Sequence, residues 1–496
     1  MNFIQNFPFF SIILSMFSGT VSSVLPPKAA KWLNTIVIST VGLMSLILLM
    51  FLTGTGESYT YMMGHFPAPW GNEIRAGVLE AGMALFFCVI MLLSMMGGRK
   101  KLIEDVDESK QSLYYILVDL LLSSLLALVY TNDLFTAYVF VEINTISACG
   151  LIMIRQNGRT IEATVRYMIM SLLGSGLFLV GICMLYDLTG HLLMSNIQES
   201  VAVIVANGTY TVPLLVTIAF MSVGLAIKSA LFPFHAWLPD AYGYSTVSSA
   251  AILSSLVSKG YIFLLIKIFY RVIGIDIIQQ SKIVNILFVF GLAGMIVGSL
   301  SAIKENDIKR MIAFSSVAQI GYIYMGIGLG SEAGMTASTF HIFSHAATKS
   351  MLFIAAMGLT EVSGNSKKFI DLTGSGYRNK IAGVGFTVGA LSMVGLPAFS
   401  GFISKLLFVQ SFVYSNEKML PALIVLGIST ILNAIYFMKT VIRIYTPQES
   451  GYPSMTMKKQ MGYSVTILFF ILLNFALGLF SQPIVDWIHS GLKMFS

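Results

Sequence analysis

Charge is scarce in this chain of 496 residues, because only 11% of them are Asp, Glu, Lys or Arg and 56% are hydrophobic. Soluble domains carry about 25% charged residues, so this composition, with a mean hydropathy of +0.81, excludes an ordinary soluble fold. Cysteine is equally scarce. Cys88, Cys149 and Cys183 lie in apolar runs without a CxxC pair, which argues against a disulfide framework or a zinc or iron–sulfur site. We expect all three to be small buried hydrophobic residues.

Basic runs with interleaved aromatic residues are also absent, although the net charge is +7. The lysines and arginines are scattered among short loops without interleaved aromatic residues, so no nucleic-acid partner is expected. The first segment, MNFIQNFPFF, has no positively charged region and no small-residue cleavage site. It therefore predicts a retained helix rather than a signal peptide.

The chain does have long apolar runs. A membrane-spanning helix needs about 20 mostly apolar residues, and fourteen runs meet this requirement. The predicted helices 1 to 14 are 8–25, 32–54, 74–97, 112–131, 133–154, 161–187, 212–236, 245–270, 283–303, 309–330, 337–360, 381–413, 419–445 and 462–482. Helix 12 is too long to be straight and contains Pro397 and Gly401, while Lys228 in helix 7 is soon followed by Pro233. The sequence thus predicts an all-α polytopic membrane protein, surrounded by the lipid bilayer, with broken helices 7 and 12.

Helices 4–8 and 9–13 can be superposed as two five-helix repeats, because the broken helices then occupy equivalent places. Five is an odd number, so the two repeats must be inverted relative to each other. The predicted division is therefore 1–111 for helices 1–3, 112–270 for the first repeat, 271–445 for the second repeat and 446–496 for helix 14.

The lysines and arginines of the loops and helix ends are distributed unevenly. With the N-terminus outside, nineteen of them lie inside, Lys458 and Lys459 among them, and five lie outside. The five are Arg75, Arg271, Lys282, Lys418 and Lys493. The positive-inside rule then predicts a multi-pass protein of a prokaryotic plasma membrane with both termini outside. Segment 188–211 is either a short amphipathic helix on the outer surface or a plain loop.

Four charged residues interrupt the middle of predicted helices: Glu142, Lys228, Lys259 and Lys405. An ionised group at the bilayer centre costs about 3 kcal/mol on insertion scales, so it needs an opposite charge or a watery route. A Glu142–Lys228 pair would form a switch, because an ammonium that loses its partner releases its proton more readily. A static salt bridge is the alternative, which we disfavour because a buried ion pair is a poor way to hold helices together.

Lys259 and Lys405 have no acid in their own helices, so a row of lysines could pass a proton stepwise through intervening water. For Lys259 the alternative is snorkelling to the membrane surface, which its mid-helix position disfavours. Lys267 lies near a helix end, and there we do expect snorkelling. Glu80 and Asp119 lie about two turns from helix ends and are either buried or interfacial.

His341, His345 and Lys349 follow one another at intervals of four residues in helix 11, which places them on one helical face. Imidazole exchanges protons near neutral pH, so these residues suit a relay between two half-channels. A metal site is the alternative for the two histidines, but no acid or thiol accompanies them. His341 could also serve only in helix packing. We expect no metal, no cofactor and no redox or hydrolytic site.

Six segments in this order make the chain resemble the antiporter-like subunits of the complex I superfamily, most closely the D subunit of Mrp-type Na⁺/H⁺ antiporters. They read VRYMIMSLLGSGLFLVGICMLYDLTG, KSALFPFHAWLPDAY, SAAILSSLVSK, KENDIKRMIAFSSVAQIGYI, HIFSHAATKSMLF and GLPAFSGFISKLL. The resemblance implies that Glu142 and Lys228 are the family's ion pair. It also implies a central relay at Lys259 and a terminal lysine at Lys405. GYSTVSSAA and SKGYIF depart from the family pattern around helix 8.

The resemblance implies a proton-translocating membrane subunit of a multisubunit Na⁺/H⁺ antiporter. Its partners would be other membrane subunits, protons, and Na⁺ moved elsewhere in the complex. The expected relay consists of Glu142, Lys228, Lys259, His345, Lys349 and Lys405. The alternative is an ion-pumping membrane subunit of a redox-driven complex, such as a membrane-bound hydrogenase or NADH:quinone oxidoreductase. The chain would be part of an enzyme only under this alternative.

Overall fold

The structure, a computed structural model, describes residues 3–63, 66, 71–447 and 460–495. Helices 1 to 14 have the bounds Phe7–Ser22, Pro27–Thr55, Val78–Asp105, Glu108–Tyr130, Leu134–Met153, Gly158–Thr189, Thr211–Lys228, Val247–Ile273, Ile283–Lys304, Ile308–Gly328, Glu332–Glu361, Lys380–Val394 with Ser400–Phe412, Asn416–Ile444 and Met461–Leu479. Thirteen are long and apolar enough to cross a membrane, and the two halves of helix 12 supply the fourteenth. The predicted all-α polytopic fold is confirmed, whereas its division into repeats stays a prediction.

Helices 7 and 12 are interrupted, as predicted. Helix 7 ends at Lys228, and turns follow before the short helix Leu238–Tyr244. Pro233 in these turns has no N–H group to donate to a helix. The first half of helix 12 ends at Val394, where Gly395 takes a φ of 91° that favours glycine. Irregular backbone at membrane depth is tolerated where protein surrounds it or where it lines a cavity.

Helices 8, 10 and 11 form the centre of the molecule, and the surrounding helices bury a smaller part of their surface. Helix 8 contains two π-helical segments, Leu253–Val257 and Phe269–Ile273. Single π turns within α-helices are frequent at functional sites. Helices 8 and 11 carry Lys259, His345 and Lys349 of the expected relay, so these basic groups lie where the protein excludes lipid.

Two glycines bring helices 6 and 7 into close contact. A Cβ atom on Gly174 would lie 2.8 Å from the carbonyl oxygen of Gly224 and 3.0 Å from Cγ of Lys228. Larger residues would therefore push the two helices apart. The close approach holds the end of helix 7, and with it Lys228, against helix 6.

Several elements lie outside the fourteen predicted helices. Strands Tyr59–Met62 and Glu73–Ala76 form an antiparallel hairpin, so the first residues of the predicted helix 3 are in fact a strand. Segment 188–211 contains the helix Met194–Ala206, which decides the alternative left by the sequence. The C-terminal helix Ser481–Lys493 was not predicted, because it is amphipathic and too short to span a membrane.

The cysteines correct one expectation. Cys88 is buried, but Cys149 is only half-buried and Cys183 is exposed on helix 6. An apolar run predicts membrane burial without telling which face of a helix meets lipid, so the thiol of Cys183 was wrongly placed in the core. Lys458 and Lys459, which enter the orientation count, lie outside the described residues.

Candidate functional site

Lys228 is the last residue of the first half of helix 7 and is 1% exposed. The C-terminal end of a helix carries partial negative charge and favours a cation. The Nζ atom donates to Thr145 Oγ1 on helix 5 at 2.6 Å and lies 5.5 Å from the ring centre of Tyr261 on helix 8. The ammonium is thus held between three helices by a hydroxyl group and an aromatic face.

Glu142 lies one turn before Thr145 on helix 5 and is half-buried. Among the ion pairs of the described residues, none joins Glu142 to Lys228, whose ammonium contacts the Thr145 hydroxyl instead. Residues three apart share a helical face, so the carboxylate and the hydroxyl are neighbours. The direct ion pair expected from the sequence is absent from this conformation, and the functional role of the two residues stays a prediction.

Lys259 lies in the middle of helix 8, shortly after the π-helical segment Leu253–Val257, and is fully buried. Its Nζ atom donates to the carbonyl oxygen of Ser254 and to Ser258 Oγ, the latter at 3.2 Å. Because the side chain reaches no surface of the protein, snorkelling is excluded. Within the described part of the chain, both oxygens that accept hydrogen bonds from this ammonium belong to its own helix.

His341 and His345 stack on one face of helix 11, with ring centres 5.8 Å apart and ring planes 7° from parallel. His341 Nδ1 shares a hydrogen bond of 2.6 Å with Ser404 Oγ on helix 12. Within the described part of the chain, both ring nitrogens of His345 lack a hydrogen-bond partner and no three His, Cys, Asp or Glu side chains are placed to hold a metal. Lys259 lies within electrostatic reach of His345.

Lys349 occupies the same face of helix 11 one turn further along and is fully buried. Its Nζ atom donates to the carbonyl oxygen of Ile312 at 2.9 Å and to Ser315 Oγ, both on helix 10. Lys349 also lies within electrostatic reach of His345. Two amines, those of Lys259 and Lys349, therefore lie within electrostatic reach of the same imidazole.

Lys405 lies on the second half of helix 12 and reaches back across the break. Its Nζ atom donates to the carbonyl oxygen of Val394 at 2.6 Å and to Thr430 Oγ1 on helix 13 at 3.0 Å. Val394 ends the first half of helix 12, just as Lys228 ends the first half of helix 7. Both broken helices therefore place an ammonium near the negative end of their first half.

Tyr322 on helix 10 connects helix 11 with helix 12. Its ring stacks on His341 with centres 5.6 Å apart, and Lys405 Nζ lies 5.8 Å from its centre. Ser404, the partner of His341, precedes Lys405 in sequence. Contacts therefore lead from the histidines to the terminal lysine through two hydroxyl-bearing residues.

Hydroxyl groups that hold the basic residues are not among the candidates that the sequence singles out. These are Thr145, Ser258, Ser315, Tyr322, Ser404 and Thr430. Serine, threonine and tyrosine are common in membrane helices, so hydropathy does not single them out. Only their position near a charged residue could have identified them, since Thr145 lies one turn from Glu142 and Ser404 lies next to Lys405.

Lys267 contradicts the snorkelling expectation, because its side chain is fully buried. Its Nζ atom donates to the carbonyl oxygens of Val129 at 2.7 Å and Thr131 at 2.5 Å. These are the carbonyls that the C-terminal end of helix 4 leaves without helical partners. An ammonium from helix 8 satisfies them, and only tertiary structure could reveal this neighbour.

Glu80 and Asp119 are both buried, which decides the alternative left by the sequence. Glu80 forms an ion pair with Arg75 at 3.1 Å. The Asp119 carboxylate accepts hydrogen bonds from Ser18 Oγ at 2.8 Å and Asn34 Nδ2 at 2.7 Å. Both acids thus contact residues of the N-terminal part of the chain rather than a lysine of the relay.

The sequence pattern of the transmembrane family of NADH:quinone oxidoreductases and Mrp antiporters matches residues 131–432, more than half of the chain. This chain belongs to that family. The matched segment contains every residue of the expected relay, from Glu142 to Lys405. The protein is therefore an antiporter-like membrane subunit of the complex I superfamily, and the resemblance drawn from the sequence is confirmed at that level.

Relatives within the family fall into two kinds of complex. The N subunit of the NADH-quinone oxidoreductase of Desulforudis audaxviator is 32% identical over 79% of this chain and 76% of its own length. The D subunit of the Na⁺/H⁺ antiporter of Alkalihalophilus pseudofirmus is 25% identical over 86% of this chain and 84% of its own length. Family membership alone therefore does not decide between the two.

Two solved structures share the fold over nearly the whole chain. A chain of the membrane-bound sulfane sulfur reductase, an archaeal respiratory membrane complex, is similar with a TM-score of 0.89 and 24% identity, covering 99% of this chain and 97% of that one. A chain of the Mrp complex from Dietzia gives a TM-score of 0.87 and 22% identity with the same coverage. Both are parts of multisubunit complexes, which agrees with the expectation of partner membrane subunits.

Proposed function

We propose that this chain is the proton-translocating, Mrp D-like subunit of a multisubunit Na⁺/H⁺ antiporter. The observation that carries the proposal is the series of buried lysines that contact neutral oxygens instead of carboxylates. An ammonium held by a hydroxyl or carbonyl oxygen can release its proton without leaving an unpaired carboxylate in the protein interior. Lysine, unlike arginine, readily becomes neutral when buried.

The proposed route begins at Lys228 and proceeds through helix 8 to the two histidines. Lys228 lies against the ring of Tyr261, two residues beyond Lys259 on the same helix. Lys259 and Lys349 both lie within electrostatic reach of His345, whose ring nitrogens can accept and donate in turn. Water must carry the proton across the intervals that exceed hydrogen-bond length.

The route ends at Lys405, the only half-buried lysine among the four of the relay. Contacts through His341, Tyr322 and Ser404 lead to this residue. Its partial exposure at the helix 12 break supports exchange with one aqueous side. Na⁺ would cross elsewhere in the complex.

Glu142 acts in this proposal as a switch on Lys228. In this structure Lys228 contacts Thr145, and Glu142 lies within electrostatic reach of the ammonium without forming an ion pair with it. When the ammonium turns toward Glu142, the negative charge stabilises its protonated form. Alternation between the two oxygens would load and release a proton.

Transport by reconstituted vesicles of the whole complex tests the proposal. Lys228→Ala should abolish ΔpH-driven exchange while the chain remains inserted, because the switching amine is lost. Glu142→Gln should be nearly as damaging, and Glu142→Asp should keep part of the activity. Lys282→Ala, which removes an exposed charge, is the matched control. Near-parental transport by Lys228→Ala would refute the proposed relay.

A second candidate function is ion pumping within a redox-driven complex. It is favoured by the relative from the NADH-quinone oxidoreductase, whose 32% identity exceeds the 25% of the relative from the Na⁺/H⁺ antiporter. Purification of the native complex separates the candidates. Small membrane subunits without redox centres support the antiporter, whereas iron–sulfur or nickel–iron subunits support the pump.

A further inference from the structure

A cavity of about 240 Å³ lies at the C-terminal end of helix 13, where that helix meets helices 9 and 10. Ile303 and Met311 contribute from helices 9 and 10, and Phe369 contributes from the segment between helices 11 and 12. Lys439 and Arg443 line the cavity from helix 13. Helix 13 ends at Ile444, so the cavity lies near one boundary of the membrane.

The cavity carries uncompensated positive charge. Lys439 and Arg443 are one helical turn apart, and neither side chain takes part in any ion pair or hydrogen bond among the described residues. Glu305 also lines the cavity, but its carboxylate pairs with Arg310 at 3.1 Å. Two cations one turn apart, beside a lining carboxylate that is already paired, favour an anionic ligand.

An apolar groove continues from the cavity along the outer face of helix 13. Ile435, Met438 and Ile442 line it together with the same two cations, Lys439 and Arg443. Ile435 is 46% exposed and Ile442 is 67% exposed, so this face meets hydrocarbon in a membrane. The site therefore combines positive charge at the membrane boundary with an apolar track pointing toward the bilayer centre.

We propose that this site binds one anionic glycerophospholipid. The phosphate would lie between Lys439 and Arg443 in the cavity, because guanidinium and ammonium groups both donate to phosphate oxygens. One acyl chain would follow the groove past Ile442 and Ile435. A zwitterionic lipid would be disfavoured, since its own cationic group would face the two basic side chains.

Binding here would fasten helix 13 to helices 9 and 10 and to the segment that contains Phe369. Helix 13 also carries Thr430, which accepts a hydrogen bond from Lys405. The lipid would thus stabilise the element that holds the last lysine of the relay. This effect does not depend on the proposed transport function, because it concerns only the packing of the helix.

The test compares the parent with Lys439→Gln/Arg443→Gln and with the control Lys28→Gln/Lys282→Gln, which removes two exposed charges elsewhere. Thermal unfolding of the purified full chain is followed in neutral detergent with phosphatidylglycerol, phosphatidylcholine or inorganic phosphate. Phosphatidylglycerol should raise the midpoint of the parent and the control by at least about 3 °C and that of the cavity variant by much less. Phosphatidylcholine and phosphate should have little effect.

Native mass spectrometry provides a second measurement that does not depend on stability. The parent and the control should retain one phosphatidylglycerol, and the cavity variant should retain it at least about tenfold less. If phosphatidylglycerol stabilised all three proteins equally and were retained equally by them, the proposal would be overturned in favour of nonspecific attraction between the lipid and the basic protein. Stabilisation by inorganic phosphate alone would overturn it in favour of a free-anion site.

Discussion

At the scale of single residues, the buried lysines are solvated by oxygens without full charge. Lys228 contacts a threonine hydroxyl, while Lys349 and Lys405 donate to backbone carbonyls. A hydrogen bond to a charged group contributes about 1.5–3 kcal/mol. This stabilisation offsets part of the cost of burying an ammonium. It is smaller than the stabilisation by a buried carboxylate, so the free-energy cost of releasing the proton is lower than it would be from an ion pair.

Lys405 provides the sharpest residue-scale test of a proton relay. Lys405→Arg keeps the positive charge but should abolish transport, because guanidinium does not release its proton at accessible pH. Lys405→Ala should be comparably inactive. The measurement is ion exchange in everted vesicles, with expression matched by immunoblot. Parental transport by the arginine variant would show that Lys405 acts only as a fixed charge, and Lys349 would then be the next residue to substitute.

At the scale of elements, the break in helix 12 contains a glycine in the left-handed conformation. Gly395 has a φ of 91°, and a Cβ atom there would lie 2.8 Å from Cδ of Lys405. A left-handed conformation costs other residues about 1–2 kcal/mol. The turn therefore both interrupts the helix and leaves room for the lysine that reaches back to Val394.

Gly395→Ala should lower transport strongly while the protein still inserts, because the methyl group displaces the Lys405 side chain and strains the turn. Gly427→Ala on helix 13 is the matched control, since a Cβ atom there would have no atom within 4 Å. Transport and membrane content are measured for both variants. Equal activity of the two would argue that the position of Lys405 at the break is unimportant.

The C-terminal helix Ser481–Lys493 depends on a second glycine. A Cβ atom on Gly82 of helix 3 would lie 1.9 Å from Cζ2 of Trp487, whose ring packs against Phe343 of helix 11 at 5.6 Å. At the end of this helix, Arg75 donates to the carbonyl oxygen of Met494. The helix is therefore fixed at two points to the membrane-spanning bundle.

Gly82→Ala should destabilise the protein by about 1–3 kcal/mol, because the added methyl group overpacks the contact with Trp487. Gly176→Ala on helix 6, where a Cβ atom meets no atom within 4 Å, should instead be neutral or stabilising by up to about 1 kcal/mol. Thermal unfolding monitored by tryptophan fluorescence checks both. Identical midpoints for the two variants would contradict the tight contact between helix 3 and the C-terminal helix.

At the scale of the whole molecule, fourteen crossings would place both termini on one side of the membrane. The arrangement agrees with this, because Arg75 of the hairpin reaches Met494 near the C-terminal end. The Lys and Arg distribution predicts that this side is the outside. Sidedness matters for the relay because it determines which aqueous phase Lys405 would meet.

Cysteine labelling tests the predicted orientation. In a chain whose three native cysteines are replaced by serine, Thr209→Cys should react with a membrane-impermeant maleimide in intact cells, whereas Ser23→Cys should react only after permeabilisation. Both positions are exposed in loops, and the predicted topology places these loops on opposite sides of the membrane. The reverse pattern would place both termini inside the cell.

The sequence by itself determined the number, order and approximate bounds of the membrane-spanning helices. The free energy of transfer from water to hydrocarbon depends on the residues of each segment alone, so long apolar runs identify the spanning helices directly. It also determined the two broken helices, because Pro233 and the exceptional length of helix 12 disrupt a regular helix locally. The relay candidates were visible for the same reason, since a charge inside an apolar run stands out without knowledge of its neighbours.

Tertiary structure decided which partner each charged group has. Lys228 contacts Thr145 rather than Glu142, and Lys267 satisfies the carbonyl groups at the end of helix 4 instead of snorkelling. These contacts join residues about 80 to 140 positions apart in the chain, so no local pattern encodes them. The lipid-facing side of helix 6, where Cys183 is exposed, was likewise undetermined. Hydropathy measures how apolar a segment is, whereas the packing of one helix against another selects the face that becomes buried.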